Sequence, residues 1–330
     1  MGIKLLNTFI VHGLEKKYGK KFYDRTMDNI RKQNIAPLKN ITLSNLRYKK
    51  ISIDISIFIY RFVEENALET RMHEFCSKLI KNKIIPIFVF DGQPPKEKYD
   101  AIIKRTKLRI EMKEKYDELI KLAQENPTQE IQSNIDYYKK RSTRITKENI
   151  ETTKSIIDFY KLPRIDANGE AEELCVAYVI KNVVFACLSD DTDVFAYGCT
   201  RVLRNLDINK ETIDFYKLKD ICKDLSISKH DLRCLCCISG NDYDSGINNM
   251  FVNYTILKKY RINPIRSFAC VNYNCKHTYC DKYGFLFSLL LNNLIDENKL
   301  QEFIKIYELY NINGGDVLKA HDFVRIKYSK

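Results

Sequence analysis

Seven acidic residues recur where a chain can bring carboxylates together. Asp54 closes the run KISID, Asp91 closes IFVFD, and Asp191 and Asp193 follow VVFACLSD. Glu170 and Glu172 stand in ANGEAEE, at a helix start, and Asp242 stands in SGNDYDSG after the apolar run RCLCCIS. Ligands of parallel α/β sheets collect outside the carboxyl ends of the strands. If the seven acids converge there, they cannot all stay ionised unaided, because neighbouring carboxylates raise one another's pKa. Divalent cations relieve that repulsion. Oxygen donors suit Mg²⁺ or Mn²⁺, and two such ions about 4 Å apart can clamp the attacking and leaving oxygens of a phosphodiester. Any one strand-end Asp is as well explained as a cap or turn residue; seven together are not.

The elements that must position these acids are legible as alternating strands and helices. Residues 50–56, 86–91 and 183–191 are short, continuous apolar runs, the pattern of strands buried on both faces. Helical patterns lie between them at Phe62 to Lys81, Lys96 to Ala123 and Thr146 to Tyr160, the last with Thr146 and Glu148 as start signals. The alternation predicts an α/β fold, a mostly parallel central sheet with helices on both faces. Residues 96–144 are highly charged and broken at Asn126-Pro127. They predict two charged helices, either a solvated insertion or an arm that contacts nucleic acid. From Ser228 onward the pattern is helical, with a hairpin excursion at residues 268–283.

The totals favour a polyanionic partner. The chain has 330 residues, 45% of them hydrophobic, and a net charge of +12 from 55 Lys and Arg against 43 Asp and Glu. Each neutralised phosphate releases counterions, so excess positive charge suits nucleic acid. No apolar run reaches the ~18 residues a membrane span needs, and the start MGIKLLNTF lacks a signal-peptide layout. The 11 cysteines are irregularly scattered, several inside apolar runs. Buried free thiols in a reducing compartment fit them better than disulfides. The expectation is an intracellular protein that is not secreted and has no membrane partner.

In order, the chain shows MGI, IDISIFIYRF, VFDGQPP, ANGEAEE, LSDDTDVFAYG and ISGNDYDSGI. That series resembles the flap endonuclease and xeroderma pigmentosum G nuclease family, from residue 1 to about residue 250. The resemblance implies a single nuclease domain over 1–330, with an N-terminal region 1–95, a helical arch insertion 96–145, an internal region 146–250 and a mainly helical DNA-binding C-terminal region 251–330. It implies two Mg²⁺ ions, replaceable by Mn²⁺, with Asp54, Asp91, Glu170 and Glu172 nearer one and Asp191, Asp193 and Asp242 nearer the other. Asp190 sits where the family often has Glu and is not expected to be a ligand. Lys98 and Arg105 match two arch cations that act on the scissile phosphate; seven residues apart, they share a helix face. Tyr60 matches an aromatic that stacks on an unpaired base. Lys140, Arg141 and Arg144 match the basic foot of the second arch helix, and Gly2 an N-terminal glycine beside the active site.

The implied activity is hydrolysis of DNA near 5′ flaps or other single-strand/double-strand junctions, in replication, repair or recombination. Two rivals accompany it: a 5′→3′ double-strand exonuclease using the same site, and a non-catalytic junction binder, against which the seven intact acids count. The chain departs from the family in three places. Gly246 and Ile247 remain of the glycine-rich hairpin that grips duplex, but Asn replaces its second glycine. Residues 13–46 form a longer entry to the first catalytic strand. No sliding-clamp motif is found; Gln301, Ile304 and Tyr307 fit an ordinary helix. These features resemble a short, divergent, monomeric member of the kind large DNA viruses carry, working in the nucleus or at a cytoplasmic viral replication site. Finally, Cys270, Cys275, His277 and Cys280 are chemically competent to hold zinc. Their irregular spacing, without CxxC, favours free thiols.

Overall fold

The computed structural model describes residues 2–10, 38–125, 127–260 and 277–312, the side chains of residues 260 and 277–281 excepted. At its centre is a seven-stranded sheet: β1 (Leu38–Thr42), β2 (Lys50–Asp54), β3 (Ile85–Phe90), β4 (Arg164–Asp166), β5 (Ala186–Leu188), β6 (Arg201–Asp207) and β7 (Thr212–Lys217). The order is β1-β7-β6-β5-β2-β3-β4. The β6-β5-β2-β3-β4 portion is parallel, and β7 joins β6 and β1 antiparallel.

Strand alternation divides the core into two layers. On β3, Ile87 and Val89 face one cluster while Phe88 and Phe90 face the other; on β5, Cys187 opposes Ala186 and Leu188. One layer is covered by α1 (Ser56–Glu64), α2 (Leu68–Lys81) and α5 (Lys147–Phe159), through Phe58, Phe62, Phe75 and Ile157. The other is covered by α6 (Ala171–Ile180), α7 (Asp193–Ala196), α9 (Lys229–Ile238) and the C-terminal helices α11 (His277–Leu291) and α12 (Glu297–Leu309). The short helix α8 (Leu218–Leu225) and α10 (Met250–Tyr260) complete that side. Ser52 is the polar residue among the strand positions facing α6, and its buried hydroxyl donates to the Cys175 carbonyl at 3.1 Å.

The long helices α3 (Tyr99–Glu125) and α4 (Gln129–Ser142) pack on each other. Among the described residues α3 buries no side chain, as its charged sequence implies. Thr146 caps α5 by accepting from the Asn149 amide, and Asn149 answers in a reciprocal capping box.

Three expectations are corrected. The helical pattern from Phe62 to Lys81 is two helices, because Asn66 adopts a left-handed conformation with φ 53° and the chain turns between Glu64 and Leu68. The apolar run 183–191 supplies a strand only at Ala186–Leu188. The hairpin at 268–283 is replaced from His277 onward by α11. Most of the long entry 13–46 falls in residues 11–37, outside the described residues.

Candidate active site

Strand order changes direction between β2 and β5, and a crevice opens at such a switch point above the carboxyl ends. Asp54 ends β2, and Ser189 to Asp191 follow β5. The Ser189 hydroxyl donates to Asp54 Oδ2 at 3.0 Å and accepts from the Asp191 amide at 3.1 Å, so one serine sets both acids. Asp91, after β3, accepts from the Ala171 amide at 2.9 Å, at the start of α6, and from the Ser56 hydroxyl. Gly92 makes that approach possible: a Cβ there would strike the carbonyls of Ala167 and Asn168. Glu170 is the N-cap position of α6 and Glu172 lies in its first turn. Asp193 opens α7, its amide donating to Asp191 Oδ1 at 2.9 Å.

Lys98 and Arg105 stand among these acids. Lys98 is 5% exposed, and its ammonium lies 2.6 Å from Glu170 Oε1, 3.5 Å from Glu172 and 3.7 Å from Asp242. Arg105 donates to Asp242 Oδ1. The structure thus joins Asp54, Asp91, Glu170, Glu172, Asp191, Asp193, Asp242, Lys98 and Arg105 through direct bonds or short bridges. Asp190 faces away, held by Arg61 at 2.5 Å and the Asn205 amide at 2.7 Å. Gly2 sits against the cluster with φ +84°, where a Cβ would collide with Asp191 Oδ1, Thr192 Oγ1 and Asp193 Oδ1. Its segment is anchored by Phe9 packing edge-on against Phe251 and Tyr254.

The remaining expected residues are farther out. Tyr60, on α1, donates to the Lys140 carbonyl at 3.1 Å. Lys140 pairs with Glu64 at 3.3 Å, the Arg141 guanidinium lies 3.7 Å over the Tyr137 ring, and Arg144 is exposed. Gly246 lies in the α9–α10 connection, its amide donating to Asp244 Oδ1 at 2.7 Å. Cys270 and Cys275, and the side chains of His277 and Cys280, lie outside the described residues.

Burial and mutual repulsion govern the electrostatics. Burial, then the charges of Asp91 and Asp191, push Asp54 up to about 8. Burial, then Asp191, push Asp193 up to about 8. Glu172 is raised well above the usual range by burial and by Asp191 and Asp193, with Lys98 opposing. Burial works against the Lys98 charge, but Glu172, Tyr243 and Glu170 outweigh it and hold the ammonium protonated.

The site has features that fit a divalent cation. Among the described residues Asp193 Oδ1 is buried with no hydrogen-bond partner, and the buried ammonium of Lys98 shows that the cluster accepts a cation. The donors are all carboxylate oxygens, the set that Mg²⁺ and Mn²⁺ take. Among the described residues, no three such side chains stand arranged as a ready-made ion cage.

Two residues that the sequence patterns left unmarked also shape the site. Tyr197 donates to Glu170 Oε2 at 3.3 Å, and Tyr310, just past α12, donates to Asp193 Oδ2 at 3.1 Å. Tyr197 falls inside LSDDTDVFAYG, four residues after Asp193, so its turn of helix was a signal; Tyr310 carries none. No described helix is long and apolar enough to cross a membrane.

Comparison with known proteins places the chain among relatives. The XPG N-terminal domain matches residues 26–112 and the XPG I-region matches residues 161–242. Flap endonuclease 1 of Methanocaldococcus jannaschii is 32% identical over 229 residues, covering 64% of this chain and 68% of that protein. Flap endonuclease 1 of Nematostella vectensis is 30% identical over 237 residues, 66% of this chain; the match spans 61% of the relative's length. Among solved structures, the catalytic core of Rad2 in complex with a DNA substrate has the same fold, with a TM-score of 0.58 at 20% identity, covering 92% of this chain and 94% of that one. Flap endonuclease-1 from Methanococcus jannaschii gives 0.50 at 25% identity, covering 83% and 96%. By its two matched XPG regions and its identity to the archaeal enzyme, the chain belongs to the flap endonuclease and XPG nuclease family.

Proposed function

We propose that the chain is a divalent-cation-dependent, structure-selective DNA nuclease, hydrolysing a phosphodiester near a 5′ flap or similar single-strand/double-strand junction. The observation that carries this reading is the gathering of seven acids and two cations at the switch point of the sheet. Its support from relatives is that flap endonuclease 1 proteins match over 64–66% of this chain, and that the catalytic core of Rad2 has been solved with DNA substrate.

Asp54, Asp91, Glu170, Glu172, Asp191, Asp193 and Asp242 would hold two Mg²⁺ ions, or Mn²⁺ in their place. Bound there, the ions supply Lewis-acid activation of water and stabilisation of the departing oxygen. Lys98 and Arg105 neutralise acids in the metal-free chain; with divalent charge on those acids, the two side chains are free to hold the scissile phosphate. Preorganised cations of this kind often make the largest contribution to catalysis. Tyr60 would stack on an unpaired base. The arch of residues 96–145, with Lys140, Arg141 and Arg144 at its foot, would admit a free single-stranded 5′ end, and Gly246 would approach the duplex backbone. The work of such an enzyme lies at sites of DNA replication, repair or recombination.

The test is incision of labelled 5′-flap, nick, gap, Y-fork and Holliday-junction DNAs with Mg²⁺. The expected result is cutting at the base of the flap, abolished by Asp191→Ala or Asp242→Ala with junction binding retained. Cleavage within about tenfold of wild type in either variant removes that acid from the site. Mononucleotide ladders from a nicked duplex would mark an exonuclease instead.

A further inference from the structure

The end of the sheet opposite the acids carries a different surface. Arg47, Tyr48, Lys49 and Lys50 lead into β2, Lys83 precedes β3, and Arg201 opens β6, so their cations gather at the amino ends of the parallel strands. The Tyr48 amide donates to the Lys83 carbonyl at 2.8 Å, and the Ile85 amide to the Lys49 carbonyl at 3.0 Å, which ties the two loops together. Tyr48 is 64% exposed. Its ring lies 5.0 Å from the Arg47 guanidinium and 5.8 Å from the Lys83 ammonium. Beside it, Lys49 lies 5.2 Å and Arg201 5.3 Å from the half-buried Phe185 ring. None of these cations forms an ion pair with a described carboxylate; Glu211, on a neighbouring turn, is shared among Lys78, Lys81 and Asn82.

Tyr48 also holds a costly backbone. Its φ is +61°, and Lys83 has φ +56°. Bulky residues rarely adopt this left-handed conformation. Here it turns a large aromatic ring into solvent, where burial gives nothing back. Arg47 donates to the Tyr48 hydroxyl at 3.1 Å, and Arg201 to the Phe185 carbonyl and to Asn182 Oδ1, so these cations are positioned by neutral groups and none has its charge neutralised by a described carboxylate. An exposed ring among such cations is the pairing that binds unpaired bases, the ring by stacking and the cations by phosphate contact. Duplex bases are already stacked, so the ring favours a single strand.

We propose that the surface formed by Arg47, Tyr48, Lys49, Lys83 and Arg201 is a second binding site, for single-stranded nucleic acid, at the end of the sheet remote from the acid cluster. From Lys50 to Asp54, β2 runs four residue steps, about 13 Å at the usual rise, so a strand on this surface does not occupy the acid site. The two ends can engage separate segments of one DNA. The inference is independent of the nuclease reading, because it concerns binding alone.

The experiment uses the full chain, a fluorescent 12-nucleotide oligo-dT and a saturating unlabelled 5′-flap duplex that fills the acid end. Anisotropy should still report binding of the oligonucleotide, and ultraviolet cross-linking with mass spectrometry should map it to Tyr48. Tyr48→Asn, which suits the left-handed backbone and so does not threaten the fold, should weaken that binding by about tenfold, within the range for one stacked base. Lys49→Gln with Lys83→Asn should lower the salt dependence by about 0.7 per lysine. Cleavage of the flap should be unchanged in both. Unchanged affinity in Tyr48→Asn, cross-links confined to residues of the acid end, or equal competition by poly-glutamate would each overturn the proposal. A chain that cuts nothing yet cross-links oligo-dT at Tyr48 would sink the nuclease reading and leave this one standing.

Discussion

The Tyr310 hydroxyl donates to Asp193 Oδ2 at 3.1 Å, across 117 residues of chain. Because Asp193 Oδ1 has no hydrogen-bond partner among the described residues, this bond is the one side-chain hydrogen bond on the carboxyl group among them. The Tyr310 ring packs edge-on against Tyr197 at 5.1 Å and Tyr243 at 5.6 Å, so the end of α12 is seated on the acid cluster. A partner that orients a metal ligand typically matters by tenfold or more in ion affinity. Tyr310→Phe keeps the ring and removes the donor. It should lower Mn²⁺ affinity about tenfold by isothermal titration, while stability falls by only about 1 kcal/mol, the usual worth of one hydrogen bond. Unchanged Mn²⁺ binding would make Tyr310 a packing residue.

The raised acids predict how stability varies with pH when divalent ions are absent. Asp54 and Asp193 sit near 8 in the fold against 3.8 when unburied. The folded state therefore holds protons that the unfolded state releases. Their stabilising contribution is complete below about pH 4, declines as pH rises toward 8, and is gone above it. In chelator, the melting temperature should fall between about pH 4 and pH 8, each group contributing on the order of 1 kcal/mol per pH unit. Added Mg²⁺ should raise the melting temperature more at the upper pH, because the ion needs ionised carboxylates. Thermal melts of wild type and of the Asp54→Asn, Asp193→Asn double variant would check this; equal slopes would refute the assignment.

What the sequence made legible was local. Asp54 and Asp91 close apolar runs that are strands, and the loop glycine Gly92 follows its acid directly, so chain order reported geometry. Strands β6 and β7 were overlooked, although RVLRNLD and TIDFYK carry β-branched and apolar residues: their polar positions hide a fully paired, two-sided strand. Asn66 broke an apparently continuous helix because a left-handed residue leaves no mark in apolar periodicity. Tyr310 was unreadable in principle, since nothing local in NIN or ELY announces a bond to residue 193. Lys98 and Arg105 were placed by resemblance, and only the structure shows their charges spent on the acids.

Lys98 and Arg105 should differ in stability and agree in catalysis. The Lys98 side chain is 6% exposed within four acidic neighbours, whereas that of Arg105 is 42% exposed. Removing one partner from a buried charge pair costs about 3–5 kcal/mol, but an exposed pair is worth about 0–1. Metal-free Lys98→Ala should therefore lose several degrees in melting temperature, and Arg105→Ala almost none. Both should lose single-turnover cleavage by ~10²–10³-fold if their cations act on the transition state. Junction affinity should fall much less, because many phosphate contacts share it. Equal losses of affinity and rate would reduce both residues to phosphate anchors.

Tyr60 offers a way to separate stacking from tethering. Its ring lies on α1, six residues after Asp54, and its hydroxyl donates to the Lys140 carbonyl in the last turn of α4. The same residue could thus serve DNA by its ring or the arch by its hydroxyl. Tyr60→Phe removes only the tether, and Tyr60→Ala removes both. If the ring stacks on an unpaired base, the Ala variant should lose ~5–100-fold in single-turnover cleavage of a flap substrate, the effect of one stacking partner of about 1–3 kcal/mol. The Phe variant should stay within about threefold. Long flaps should be no more affected than short ones in the Phe variant, because Lys140 keeps its ion pair with Glu64. Equal impairment of Phe and Ala would assign the effect to the tether and remove Tyr60 from the DNA contacts. Matched long-flap and short-flap rates for the two variants decide between them.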